Sequence, residues 1–82
     1  MSRYYFDIHA DSLSEWDDDG KEARDADEAV ENARLMLATI AEVGRLGRDW
    51  HAVIVIRDKV GTQVATLTGV GSAEPRVVRR YA

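Results

Sequence analysis

The feature that most constrains the fold is a single helix-forming segment, residues 25–43, in a chain of 82 residues. Asp25 and Glu28 have the spacing of a capping box, and Gly44 is placed to end the helix. Apolar residues recur every three or four positions along one broad stripe: Ala26, Ala29, Val30, Ala33, Met36, Leu37, Ile40 and Val43. One such helix covers only one face of a sheet, so the other face stays open.

Four other segments have the composition or alternation of strands: residues 3–10, 12–16, 50–60 and 62–68. The first alternates with aromatic residues, the second is short and irregular, and the third is β-branched on both faces, as in an interior strand. Asp-rich and Gly-ending turns precede the helix at residues 17–20 and join the last two strands at 58–61. The order β-β-α-β-β predicts an α+β fold: a three- to four-stranded antiparallel sheet with one helix packed on one face. We expect the first and third strands to be central neighbours.

The chain is short enough to form one domain, which we place at residues 1–68. Gly69, Gly71, Ser72 and Pro75 interrupt the pattern beyond it. Residues 69–82 are therefore predicted to be a flexible, basic C-terminal tail. The pair Val77-Val78 leaves open a short edge strand, provided that another strand pairs with it.

Charge and composition exclude several classes of protein. The net charge is −4, with −7 carried up to Ala41 and +3 from Glu42 onward, which disfavours nucleic acid as a partner. The absence of cysteine excludes disulfides and thiolate zinc sites. No apolar run approaches the ~20 residues that cross a bilayer, and the first residues lack a signal-peptide pattern. We expect a cytoplasmic protein that does not enter membranes.

Several short stretches resemble a known family. They are Arg3-Tyr4-Tyr5-Phe6-Asp7-Ile8-His9, then Asp18-Asp19-Gly20 with Glu22, then Asp25 with Glu28-Ala29, and Arg57-Asp58 with Gly61. Together they resemble short uncharacterised proteins common in rhizobia and related alphaproteobacteria, a domain of unknown function, over about residues 2–68. The resemblance implies the size, the order of elements and a bacterial source, and it implies no catalytic residues.

The start of the helix carries a second, looser likeness. Asp27-Glu28-Ala29-Val30-Glu31-Asn32-Ala33 looks like the helix start of HicB-type antitoxins, although the Pro- and Gly-rich segment that precedes that helix in HicB proteins is missing here. This likeness implies a small protein that neutralises a partner ribonuclease and often regulates its own promoter.

Candidate chemical sites are few, and we predict no catalytic residues, no cofactor and no enzymatic activity. Aligning Glu15 with the first position of a calcium loop puts Ala26 where a bidentate glutamate is required, so that reading fails. His9 and His51 are the candidate metal ligands, because antiparallel pairing of their strands would bring them to the same face. The other reading, two exposed and hydrogen-bonded histidines, is the one that we favour.

The remaining signal is an apolar patch on the open face, with Tyr5, Val53, Val55 and Val64 as the interface candidates. We therefore expect a non-enzymatic protein that acts by protein–protein contact. The simplest partner is a second copy, in a homodimer formed through the open face or an edge strand, and an unidentified protein is the other. The alternative is an antitoxin-like or nucleic-acid-associated module that uses three arginines of the tail: Arg76, Arg79 and Arg80.

Overall fold

A computed structural model describes residues 1–10, 13–43, 50–70 and 74–81. Over these ranges the chain forms one helix and six strands: β1 (Ser2–Ala10), β2 (Leu13–Glu15), β3 (Lys21–Ala23), α1 (Ala26–Val43), β4 (His51–Arg57), β5 (Gln63–Val70) and β6 (Arg76–Arg79). The helix packs against an open antiparallel sheet, which confirms the predicted α+β class.

The strands are arranged in the order β2-β1-β4-β5-β6, and β3 pairs with the other end of the same edge of β1. The predicted central pair is confirmed, because β1 and β4 run antiparallel with Ile8 opposite Ile54. The described sheet has six strands, whereas we expected three or four. Both β3 and β6 are short, and each forms along the edge of a longer strand that supplies its backbone hydrogen-bond partners.

The start of α1 shows how its sequence sets the boundary. The amide of Glu28 donates to the carboxylate of Asp25 at 2.9 Å, so Asp25 is the N-cap that the spacing predicts. The carboxylate of Glu28 reaches back one residue further than in a capping box and accepts the amide of Arg24 at 2.9 Å. The residue predicted to end the helix, Gly44, lies outside the described residues.

The core lies between the helix and one face of the sheet. Its large buried side chains come from three central strands and one stripe of α1: Phe6, Ile54, Ile56, Leu67, Val30 and Leu37. Trp50 packs against this core. Its ring lies so close to Gly69 that a Cβ added there would be 2.7 Å away. Each large apolar side chain buried here contributes about 1.5–3 kcal/mol.

The sheet continues beyond residue 68 in the described part of the C-terminal segment. β5 continues through Val70, and β6 pairs with it, with Val78 opposite Thr66 and Val77 packed against the core. Tyr81 then donates a hydrogen bond to Asp27 of α1 at 2.5 Å, and its burial, together with that bond, raises the pKa of its hydroxyl. The edge strand that the sequence left open at Val77-Val78 is therefore present, whereas the mobility of residues 69–82 stays a prediction.

Candidate functional site

The face of the sheet opposite α1 is the open face that one helix cannot cover. Alternation along the paired strands places Val53, Val55 and Val78 on it, and we call these three residues the valine patch. Val53 and Val55 are half-buried, and Val78 is 45% exposed. Thr66 lies between Val55 and Val78 in the same row of paired residues, so this part of the face is composed of β-branched side chains.

Three of the four predicted interface residues lie on the open face. Val53 and Val55 belong to the valine patch, and Tyr5 lies further along the face, opposite Arg57. Val64 is the exception. It falls at an irregularity in the pairing of β4 with β5, where Ile56 pairs with Ala65 and the next pair is Arg57 with Gln63, and its side chain packs against the core. A β-bulge of this kind redirects a side chain that simple alternation would place on the other face.

Beside the valine patch, the same face carries a buried ion pair. Asp7 is only 2% exposed, although it lies on the open side of β1. Arg57 at the end of β4 binds it through two nitrogens, Nε at 2.5 Å from Oδ2 and Nη2 at 3.0 Å from Oδ1. This bidentate geometry is the strong form of an arginine–carboxylate contact.

The loop between β2 and β3 covers the ion pair. The amide of Asp17 donates to Oδ1 of Asp7 at 2.9 Å, and its carbonyl accepts Nη2 of Arg57 at 3.1 Å. The Asp17 carboxylate accepts the amides of Phe6 and Gly20, each at 3.0 Å, which fastens the loop to the edge of β1 between β2 and β3. Among the described residues, no buried side-chain nitrogen or oxygen is left without a hydrogen-bond partner.

Two aromatic rings complete this region. The guanidinium of Arg57 lies 4.1 Å from the ring centre of Trp16 and 5.2 Å from that of Tyr5, within the range of cation–π contact. Trp16 is nevertheless 65% exposed, so it forms an outer surface over the ion pair. We call the group Tyr5, Asp7, Trp16, Asp17 and Arg57 the polar corner of the open face.

The electrostatics of the polar corner favour the charged form of both partners. Burial would by itself raise the pKa of Asp7, but the hydrogen bonds from Arg57 and the Asp17 amide outweigh it and lower the pKa below its usual value. The hydrogen bond to Asp7 raises the pKa of Arg57, against the opposing effect of its burial. Both groups therefore stay charged at neutral pH, and neither is poised to exchange a proton there.

Our sequence interpretation missed the polar corner. The sequence pattern predicted an Asp-rich turn at residues 17–20 and no partner for Asp7 or Arg57. One signal was available: Asp7 is the single acid among the residues of an aromatic strand, and Arg57 is the single base at the end of an apolar one. Two lone opposite charges on strands predicted to pair antiparallel indicate a buried ion pair.

The two histidines lie on the same face, as expected from their strand positions. His9 is opposite Val53, so His51 lies two residues before that position on the same side of β4. Nδ1 of His9 is 3.0 Å from the Ser14 hydroxyl. Within the part of the chain that the structure describes, His, Asp and Glu form no group of three suited to a metal ion. Asp11 and Asp49, two acids near these histidines in the sequence, lie outside that part.

The arginines of the predicted basic tail do not all lie on the same face of the sheet. Arg76 pairs with Thr68 and lies on the open face, whereas Arg79 pairs with Ala65 and lies on the helix side. Arg79 also donates to the hydroxyl of Tyr81 at 3.2 Å. The three residues Arg76, Arg79 and Arg80 therefore do not line up along one face of the strand.

Comparison with known proteins gives one match. The sequence pattern of a family described as a domain of unknown function, DUF6894, matches residues 3–71. No curated protein and no solved structure matches the chain significantly. Among the described residues, no helix has the length and apolar character needed to cross a membrane.

Proposed function

The chain belongs to the DUF6894 family of domains of unknown function. We therefore propose a function from the open face of the sheet. The protein acts, without enzymatic activity, by contact with another protein chain, most simply a second copy of itself. The observation that carries this proposal is the valine patch, three apolar side chains on the face that α1 does not cover.

The open face is a better docking surface than the β6 edge of the sheet. The β6 edge begins after Pro75, which has no amide hydrogen to donate, and it has arginine at both ends. Proline and charge on an edge strand oppose pairing with another strand. The valine patch has neither feature, and burying its side chains would contribute about 1.5–3 kcal/mol each before the costs of association.

A two-fold dimer is the closed arrangement that this surface favours. It would place the valine patch of one protomer against the same patch of its partner. Arg76 and His9 would lie at the rim, because they flank Val53 and Thr68 in one row of paired residues. A rim charge such as that of Arg76 orients a complex more than it strengthens it.

Sedimentation of the wild type beside Val78→Asp tests the proposal. Val78 is on an edge strand and partly exposed, so the substitution leaves the core intact while placing a carboxylate in the interface. Val60→Asp is the matched control, since Val60 is 77% exposed in the turn between β4 and β5. We expect a dimeric wild type, a dimeric control and a monomeric Val78→Asp.

A monomeric wild type at micromolar concentration would overturn the proposal. So would a Val78→Asp variant that stays folded and dimeric. Val55→Asp is a harsher second variant, because Val55 lies opposite Asp7 and its new carboxylate would also face a buried acid. Circular dichroism on each variant separates loss of association from loss of the fold.

The alternative is an antitoxin-like or nucleic-acid-associated module in which Arg76, Arg79 and Arg80 contact phosphates. The observation in its favour is the exposure of all three arginines, although they do not share one face. Titration with DNA and RNA at two salt concentrations decides it, because affinity based on phosphate contacts falls steeply with salt.

We also propose a source and a cellular location for the protein. The resemblance of the opening strand supports an alphaproteobacterial source. We also place the protein in the cytoplasm, since a chain without cysteine needs no oxidising compartment for disulfides.

A further inference from the structure

A second candidate surface lies away from the valine patch, where residues 15–19 pass around the edge of β1 toward α1. They leave a cleft of about 340 Å³ with an apolar floor of Phe6, Ile8 and Met36. The floor continues along the helix, because Ile8 and Met36 also line an adjoining hollow of about 290 Å³ that reaches Leu35 and Ile40. One base, Lys21, borders this second part. The two parts form one groove between α1 and β1.

Four acidic residues border the first part of this groove. The Asp17 carboxylate accepts the backbone amides of Phe6 and Gly20, which leaves Glu15, Asp18 and Asp19. All three residues are exposed, and within the described chain their carboxylates make no ion pair or hydrogen bond. Negative charge beside an apolar floor is complementary to side chains that carry a cation on an apolar stem.

Exposed apolar side chains border both parts of the groove. Trp16 lines the acidic part and is 65% exposed, and Leu35 lines the apolar part and is 68% exposed. Large apolar residues at the border of an apolar groove are typical of protein contact sites, where tryptophan is enriched among the residues that carry the binding energy.

We propose that this groove binds a basic, amphipathic peptide segment of a different protein. Apolar side chains of that segment lie on Ile8 and Met36, and its Lys or Arg residues pair with Asp18 and Asp19. A second copy of this chain is a poor source, because its basic strand β6 is already paired with β5 in its own sheet. The inference does not rest on the proposed dimer, since it uses other residues.

The test is a titration of ¹⁵N-labelled full-length protein with two synthetic peptides of equal length and equal leucine content, one with lysine and one with glutamate. We expect the lysine peptide alone to shift the amides of Ile8 and Met36 and the indole signal of Trp16. Spermidine, which has the charge without the apolar side chains, serves as a third ligand. We expect it to bind more weakly than the lysine peptide.

Two variants and one matched control locate the binding. Asp18→Asn with Asp19→Asn should weaken the lysine peptide by about five- to tenfold, because each rim charge contributes modestly. Leu35→Ser should weaken it without changing the charge. Glu22→Gln with Glu31→Gln removes the same charge from two exposed residues that do not line the groove, and it should change the affinity by less than about twofold.

Three results would overturn the inference. One is the absence of shifts with the lysine peptide at millimolar concentration. Another is equal binding of both peptides, or spermidine binding as tightly as the lysine peptide. The last is a set of shifts on the valine patch instead of the groove, which would assign peptide binding to the open face.

Discussion

The polar corner and the valine patch lie side by side on the open face, yet the chain treats them in opposite ways. Over Asp7 and Arg57 it folds residues 16–20, and the backbone amide and carbonyl of Asp17 hydrogen-bond to the two buried charges. Over Val53, Val55 and Val78 the described chain places nothing comparable. A few directed hydrogen bonds complete a polar site, whereas apolar surface is removed from water only by covering its area. A short chain can therefore do the first for itself and needs a partner for the second.

Removing one charge from the polar corner is the strongest test of whether its buried groups depend on one another. Asp7→Asn keeps the shape of the side chain but leaves Arg57 without its carboxylate, in a position where its side chain is only 16% exposed. We expect a loss of about 2–4 kcal/mol in the free energy of unfolding, measured by urea denaturation. Asp18→Asn, on the same loop but exposed, should cost less than about 0.5 kcal/mol.

A double variant sharpens the interpretation. Arg57→Met added to Asp7→Asn removes the unpaired charge, so the pair should cost less than the sum of the two single changes. Additive costs would show that Asp7 and Arg57 contribute independently. In that case the polar corner would not be the single unit that its contacts indicate.

Acid should reproduce part of the same loss reversibly. The pKa of Asp7 is lower in the folded protein than its ordinary value, so its contribution is present above the unfolded pKa and is lost as pH falls through the folded pKa. The effect should be smaller than that of Asp7→Asn, because a carboxyl with a lowered pKa is only partly protonated in mild acid. Urea denaturation of wild type and Asp7→Asn between pH 2 and pH 5 checks this, and parallel curves would contradict it.

A smaller difference in stability is expected between alanine substitutions at two glycines with positive φ. Gly20 in the covering loop has φ +73°, and an added Cβ would lie 2.9 Å from both Arg3 Cγ and Tyr5 Cε2. Gly61 in the β4–β5 turn has φ +87° but open space around it. Alanine strains the backbone at both sites, and we expect Gly20→Ala to cost about 1 kcal/mol more than Gly61→Ala in the same denaturation measurement. Equal losses would mean that the loop is not packed tightly on Tyr5.

Periodicity predicted the elements that carry their own signal. The stripe of α1 and the alternation of β1 each identified an element and the face that it buries. The β-branched run of β4 identified an interior strand. The strands β3 and β6 carry too few residues for such a pattern, and they depend on the free edges of β1 and β5.

The candidate site was less predictable for the same reason. Placing Val53 and Val55 on the open face needed only alternation, whereas moving Val64 off it needed a bulge that no local signal marks. Joining Asp7 to Arg57 needed the register of two strands far apart in the chain. Sequence patterns report local geometry, and these contacts are long-range.

The distance along the chain between Asp7 and Arg57 also bears on how the protein folds. The two residues are 50 positions apart, whereas the turn at residues 58–61 joins β4 to β5 locally. Closing a long loop costs entropy that a hairpin avoids, so we expect the β4–β5 hairpin to form early and β1 to join it late. We therefore expect the ion pair to form after the rate-limiting step. Asp7→Asn should accordingly leave the folding rate almost unchanged and express its cost as faster unfolding.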